Sequence, residues 1–237
     1  LLKGGQVELA DGAFSAAGCG DRFRTNLGMI IGIPGPWAAR EHALVKGDSA
    51  MQLNGGWLVG ARRVPSPHHD CRPDDEPPSL LVVHNISLPP GEFGGPWIDA
   101  LFSGTLDPTA HPYFAGIAQL RVSAHCLIRR DGEIVQYVPF DKRAWHAGVS
   151  CYQGRERCND FSIGIELEGT DTLAYTDAQY QQLAAVTRLL TALYPDIAEN
   201  MTGHSDIAPV RKTDPGPAFD WAKFRGLLTA SSDKEMP

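Results

Sequence analysis

Leu80-Leu81-Val82-Val83-His84-Asn85 (LLVVHN, residues 80–85) decides how the rest of the chain is read. Four apolar residues in a row, without alternation, describe a strand buried on both faces, as in the interior of a sheet covered on two sides. His84 closes the run. A second strand reads from 162 to 168 (SIGIELE), with Ile163, Ile165 and Leu167 on one face and Ser162, Gly164, Glu166 and Glu168 on the other, because side chains alternate across a strand. Glu166 therefore leaves the apolar side. Residues 123–138 read as a hairpin around Asp131-Gly132, a dipeptide suited to a two-residue type I′ turn. That turn pairs Arg130 with Glu133, and sets Ile128 across from Val135 and Cys126 across from Tyr137.

Helices fall between and after these strands. Thr176 followed by Gln179 is a capping box, and Leu183, Val186, Leu190 and Leu193 recur at spacings of three and four before Pro195 ends the pattern. Shorter helices are expected at 96–102, at 112–120 with Gly116 weakening it, and at about 219–228. Strands interleaved with helices, one pair joined as a hairpin, give the fold class: α/β (mixed α+β), a central mixed β-sheet flanked by α-helices. No internal repeat or low-complexity tract stands out.

At 237 residues and 43% hydrophobic content the chain is long enough for a sizeable core. A formal charge of −7 argues against nucleic acid as a partner, since binding phosphate backbones takes clustered Lys and Arg. Charge is uneven: residues 121–157 hold Arg121, Arg129, Arg130, Lys142, Arg143, Arg155 and Arg157 against Asp131, Glu133, Asp141 and Glu156, a local excess of +3. Such a run reads first as a solvated face, with a subset free to receive an anionic small substrate. Five cysteines without a C-x-x-C pair indicate neither a zinc ribbon nor a complete disulfide framework, and fit reduced thiols in a cytosol. No stretch approaches the roughly 20 apolar residues of a membrane span, and residues 1–10 lack the pattern of a signal peptide, so the chain reads as non-secreted. The Pro- and Asp-rich segment 71–79 reads as a linker. Residues 1–50 are Gly- and Ala-rich with balanced charge and no periodicity. They read as a poorly structured extension outside a functional domain at 51–237, with Met51 just ahead of the first well-patterned segment, 57–64. An intact mass of the native protein that requires residues before Met51 would contradict an over-long gene as the source of that extension.

Residues 203–216 (GHSDIAPVRKTDPG) pack His204, Lys212 and Asp214 into one short stretch. Together with His84 they provide two imidazoles and a carboxylate, the ligand types that hold a catalytic zinc with one position open for water. Singly the signals are weak. His84 also reads as a hydrogen-bonded core histidine, and Asp214 before Pro215-Gly216 as a turn opener. A zinc hydrolase further needs a base for the attacking water and a donor for the oxyanion, and Glu166 and Lys212 are of those types. His125 and His146 are rival ligands; His68-His69 reads as a solvated pair.

LLVVHN, SAHCLIRRDGEIVQYVPFDKRAWHAG (123–148), SIGIELEG and GHSDIAPVRKTDPGPAFDW (203–221) resemble the zinc-dependent N-acetylmuramoyl-L-alanine amidases, a family that includes phage lysozyme-type amidases and animal peptidoglycan recognition proteins. The likeness runs from about Met51 to the C-terminus, closest to members acting on 1,6-anhydro-muropeptides. Ser205 and Val210 depart from it at variable positions. It implies one Zn2+ per chain on His84, His204 and Asp214, with Glu166 and Lys212 as the catalytic pair. Asn85, Arg121, Trp145 and Arg157 would contact the muramyl sugar and stem-peptide carboxylates, Arg through its bidentate fork and Trp through its apolar face. The implied reaction cleaves the amide between (1,6-anhydro-)N-acetylmuramic acid and the L-alanine of the stem peptide. The implied setting is a cytoplasmic monomer in peptidoglycan recycling, acting on a small muropeptide without nucleic acid or membrane, and indirectly affecting β-lactamase induction. Alternatives are a non-catalytic peptidoglycan-binding module, a secreted or phage-type amidase acting on polymeric wall, and a general zinc peptidase.

Overall fold

The run at 80–85 lies in the second of six strands forming a mixed sheet. The computed structural model describes residues 51–230, so the extension expected at 1–50 lies outside the described residues. In chain order the strands are β1 (Arg62–Arg63), β2 (Leu80–Ile86), β3 (Cys126–Ile128), β4 (Ile134–Gln136), β5 (Ser162–Glu168) and β6 (Met201–Gly203). They lie side by side as β6-β2-β5-β3-β4-β1. β6, β2, β5 and β3 are parallel, β3 and β4 antiparallel, and β4 and β1 parallel. β2, flanked by β6 and β5 and covered on both faces, has no solvent side, and Leu80, Leu81, Val82 and Val83 are fully buried.

The alternation within each strand sorts the core into layers. Leu81 and Val83 of β2 join Ile163, Ile165 and Leu167 of β5 under helices α2 (Asp177–Leu193) and α4 (Trp221–Thr229). On the opposite side Leu127, Val135 and Tyr137 pack with Ile98, Leu101 and Phe102 of α1 (Trp97–Phe102) and with Phe114. Each such apolar side chain taken out of water contributes about 1.5–3 kcal/mol. The stripe expected on α2 is the buried one: Leu183, Val186, Leu190 and Leu193 all face the core. Its capping box is present, with Thr176 Oγ1 accepting from Gln179 N at 3.2 Å and Gln179 Oε1 accepting from Thr176 N at 3.1 Å. Thr176 Oγ1 also donates to Arg130 O at 2.7 Å, tying the helix to the hairpin. Thr176→Ala should therefore cost about 1–2 kcal/mol, read as a lower urea midpoint with an unchanged slope.

Several expectations are corrected. The hairpin loop has three residues, not two: Arg129 N donates to Glu133 O and Gly132 N to Arg129 O, both at 2.9 Å. Pairing is Ile128↔Ile134, Leu127↔Val135 and Cys126↔Gln136. Gly132, at φ 91°, suits the left-handed position that closes a three-residue loop as well as it suits a type I′ turn. Tertiary bonds favour the longer loop, Arg130 N donating to Glu168 Oε2 at 3.3 Å. Both faces of the pair are consequently buried, Cys126 and Ile128 toward α2 and Leu127 and Val135 away from it. The helix expected at 112–120 shrinks to a 3-10 turn at Pro112–Gly116, after which Ile117 leaves the helical region at φ −127°. The supposed linker is part of the domain. Cys71 lies in a short strand, His69–Cys71, paired with Lys142–Ala144, and the buried Arg72 guanidinium donates to the carbonyls of Phe140, Asn159, Asp160 and Ser162. His68 is buried rather than solvated, its Nδ1 3.1 Å from Val122 O. Cys126, Cys151 and Cys158 are free thiols, whereas Cys71 is disulfide-bonded, unlike the reduced state expected of it.

Candidate active site

Because β2, β5 and β6 run parallel, their carboxyl ends open on one edge, where sheets of this kind receive ligands. His84 stands near the end of β2, with Glu166 of β5 in register beside it. Both belong to the side of the sheet facing away from α2. His204 follows β6 directly as the first residue of the short helix α3 (His204–Ile207). The chain beyond α3 folds back, Ser205 N donating to Asp214 O at 2.8 Å, and so returns Asp214 to the same edge.

Three ligand atoms meet there. His84 Nδ1, His204 Nδ1 and Asp214 Oδ2 form a triangle with every side 3.0 Å, and all three residues are buried. In a tetrahedral zinc site with bonds of about 2.0–2.1 Å, neighbouring ligand atoms stand about 3.3–3.4 Å apart. The triangle is within a few tenths of an ångström of that size, and the donor set is of the open, catalytic type. Burial drives the His84 imidazole down to about 4, with His204 adding to the effect. At Asp214 burial opposes ionisation, but the adjoining His204 and His84 outweigh it and hold the carboxyl well below its ordinary range. A neutral imidazole and an ionised carboxylate are the forms that bind a metal. His204 Nε2 lies 3.1 Å from Ala147 O; a carbonyl only accepts, so that nitrogen carries the hydrogen and Nδ1 is left as the ligand atom.

Glu166 and Glu168 share a strand face and have opposite circumstances. Glu168 is satisfied on both oxygens, Oε1 accepting from Gly94 N at 2.7 Å and Arg129 Nη1 at 3.0 Å, and Oε2 from Arg130 N. Glu166 is also buried, yet its Oε2 has no hydrogen-bond partner. Burial, and then the charge of Asp214, push its carboxyl up to about 8, while Lys212 pulls the other way. A buried, unsatisfied carboxylate costs folding free energy and so calls for an explanation in chemistry. Lys212, half-buried, is close enough to act on both Glu166 and His84.

The residues expected to meet substrate separate into two groups. Arg121 stacks over Trp145 at 5.4 Å and is exposed, with no carboxylate partner among the described residues. Trp145 is fixed by Nε1 donating to Asp70 Oδ1 at 3.2 Å, and Asp70 is itself gripped by Arg143. Asp70, just ahead of the stretch read as a linker, carried no sequence signal for this task. Arg157 is exposed in the left-handed region at φ 61°, paired with Asp160 at 3.1 Å. Asn85 is different. Its amide hydrogens go to Asp171 Oδ1 at 2.9 Å and Pro215 O at 3.0 Å, which pins the loop beside Asp214. The local positive excess is largely cancelled by acids from elsewhere: Arg129 pairs with Glu168 and Asp99, Arg143 with Asp70 and Asp160, and Arg155 with Glu76.

Neither rival histidine joins the triangle. His125 is occupied by Arg72, Lys142 O and Gly164 N. His146 stands behind His84, its Nδ1 2.9 Å from His84 Nε2.

Residues 74–217 match the family profile described as N-acetylmuramoyl-L-alanine amidase. The chain is similar to the 1,6-anhydro-N-acetylmuramyl-L-alanine amidase AmpD of Citrobacter freundii, 85% identical over 186 residues that cover 78% of this chain and 100% of the relative. It is similar to AmpD of Escherichia coli strain K12, 87% identical over 179 residues covering 76% of this chain and 98% of the relative. A crystal structure of a selenomethionine derivative of AmpD superposes with a TM-score of 0.75 at 85% identity, covering 76% of this chain and 100% of the other.

Proposed function

This chain belongs to the N-acetylmuramoyl-L-alanine amidase family, and from that premise we propose that it hydrolyses the amide between 1,6-anhydro-N-acetylmuramic acid and the L-alanine of the stem peptide, with one zinc ion held by His84, His204 and Asp214. The observation that carries this reading is an unpartnered Glu166 carboxylate oxygen beside a buried triangle of ligand atoms. Zinc at such a position supplies Lewis acidity, lowering the pKa of water from ~15.7 toward ~7 and polarising a carbonyl. Glu166 Oε2 takes the proton of the attacking water and delivers it to the alanine nitrogen as the amide bond breaks. The products are a muramyl carboxylate and a stem peptide with a free amino terminus. A carboxyl whose pKa lies well above the ordinary range is suited to holding and returning a proton near neutrality. Lys212 meets the negative charge that develops on the carbonyl oxygen.

Trp145 offers its indole face to the sugar, and Arg121 offers its guanidinium to a stem-peptide carboxylate, with Arg157 as a second cation. Asn85 holds the Asp214–Pro215 loop through its two donors and meets substrate through its amide oxygen. Arg121→Ala should then raise KM for a muropeptide about tenfold, the loss of one hydrogen bond to a charged group, with kcat little changed. Steady-state kinetics on substrates with and without the stem carboxylates checks it.

The same reading makes the enzyme a cytoplasmic monomer of peptidoglycan recycling, indirectly affecting β-lactamase induction. Among the described residues no helix is long and apolar enough to cross a membrane. The zinc-loaded protein, given one defined anhydro-muropeptide, should release the free stem peptide and leave intact sacculi and plain peptides essentially uncut. Zinc-loaded protein that binds the muropeptide without cleaving it would favour a binding module, and clearing of sacculi a wall-acting amidase.

A further inference from the structure

We propose that a hydrogen-bond relay of fixed direction, running from His84 through His146 and Ser162 to the carbonyl of Cys158, sets His84 as an Nδ1 ligand and makes His146 and Ser162 positioning residues of the metal centre. The proposal deepens the zinc reading above and rests on it for its affinity arm. The direction follows from the far end. Cys158 O only accepts, so Ser162 Oγ, 2.5 Å away, donates to it. A hydroxyl has one hydrogen. Ser162 Oγ is therefore an acceptor toward His146 Nε2 at 3.1 Å, and that nitrogen carries the ring hydrogen. His146 Nδ1 is left with a lone pair, 2.9 Å from His84 Nε2, so His84 donates from Nε2. Its Nδ1 is thereby stripped of hydrogen at the corner where His204 Nδ1 and Asp214 Oδ2 converge.

Metal-bound imidazoles generally donate their outer N–H to a carboxylate, a backbone carbonyl or water, which fixes tautomer and ring orientation. His204 does this directly through Ala147 O; His84 does it at one remove, through a second imidazole. The His146 ring meets the His84 ring edge-on, with centroids 5.0 Å apart and planes at 84°. Its backbone is held by Asn159, whose Oδ1 accepts from His146 N at 3.1 Å and Ala147 N at 2.8 Å. Room for the ring comes from Gly164 of β5, where a Cβ would lie 2.4 Å from His146 Cγ and 2.5 Å from Nδ1. Any side chain at 164 would have to displace the imidazole, which gives the glycine in SIGIELE a reason that strand propensity does not.

The test uses the full chain in two forms. In the metal-free protein, two-bond 1H–15N correlation of the imidazoles should show both His84 and His146 with the hydrogen on Nε2; a hydrogen on Nδ1 of His146 would overturn the relay. In zinc competition against a chromophoric chelator, Ser162→Ala and His146→Phe should each weaken binding about 10–100-fold. His146→Gln, whose amide oxygen accepts from His84, should recover most of the loss. Unchanged zinc affinity in both Ser162→Ala and His146→Phe would also overturn the proposal. Ser162→Ala guards against a trivial folding defect, since Cys158 O keeps a bond from Phe161 N at 3.3 Å. A wild-type protein that takes up no zinc would sink the metal reading, while the tautomer measurement, made without metal, would still decide the relay.

Discussion

Glu166→Gln should keep its zinc and lose turnover by a factor of about 10²–10⁴, the range removed with a positioned general base. The substitution preserves size and removes the ability to take a proton at the one enclosed side-chain oxygen without a partner among the described residues. KM should move little. The same variant carries a stability signature of defined sign in the metal-free protein. Burial raises the Glu166 carboxyl from 4.5 to about 8, so its contribution to stability is complete below its ordinary value and is lost as pH climbs through about 8. Glutamine has no charge to bury. Glu166→Gln should match wild type near pH 4.5 and exceed it progressively up to and beyond pH 8, by a few kcal/mol with about 5 kcal/mol as the upper bound. Urea unfolding of the two metal-free proteins at pH 5 and pH 8.5 reads this, and a pH-independent difference would refute the buried, unsatisfied carboxylate. Retained turnover would remove Glu166 from the base role.

Asp214→Ala should lose zinc first and activity as a consequence. The carboxylate is one of three ligand atoms in the triangle and the only one bearing charge, so its loss should weaken zinc by far more than the roughly 10–100-fold that a supporting partner costs. Excess zinc should restore part of the activity. Removing Asp214 also removes the charge that helps hold Glu166 above its ordinary range, so the pH at which Glu166 ionises in the metal-free variant should fall. A variant that is fully loaded with zinc and inactive would contradict the ligand assignment, because its defect would then lie in chemistry rather than in binding.

The parts of the fold legible in the sequence are those where one periodicity admits one structure. LLVVHN has no polar face to turn outward, and it became the interior strand between β6 and β5. Thr176 with Gln179, followed by a stripe of leucine and valine, specified α2 and its first turn. Where two local structures use the same residues, the sequence was silent. Asp131-Gly132 fits a two- or a three-residue loop, and the choice rests on Glu168, 36 or more positions away in sequence, accepting from Arg130 N. The Pro- and Asp-rich stretch at 71–79 has the composition of a linker, and only the assembled carbonyls of Phe140, Asn159, Asp160 and Ser162 give Arg72 a buried place.

The site divides along the same line. His84, His204 and Asp214 were nameable from residue type and resemblance, and the structure brings their ligand atoms together. Nothing in SIGIELE separates Glu166 from Glu168, which alternate onto the same face. What separates them is Arg129, brought by β3 to one carboxylate and not to the other. Asn85 shows the converse, a polar residue beside a ligand whose donors are consumed by Asp171 and Pro215 O once the loop has folded back.

The most direct test of the central claim is a metal analysis coupled to an amidase assay on the same sample of the full chain, with one defined anhydro-muropeptide. The expected result is one zinc per chain, release of the stem peptide with a free L-alanine amino terminus, and loss of both on chelation with recovery of both when zinc is returned. Full turnover by chains carrying no metal, or no release of stem peptide by chains carrying one zinc each, would contradict it.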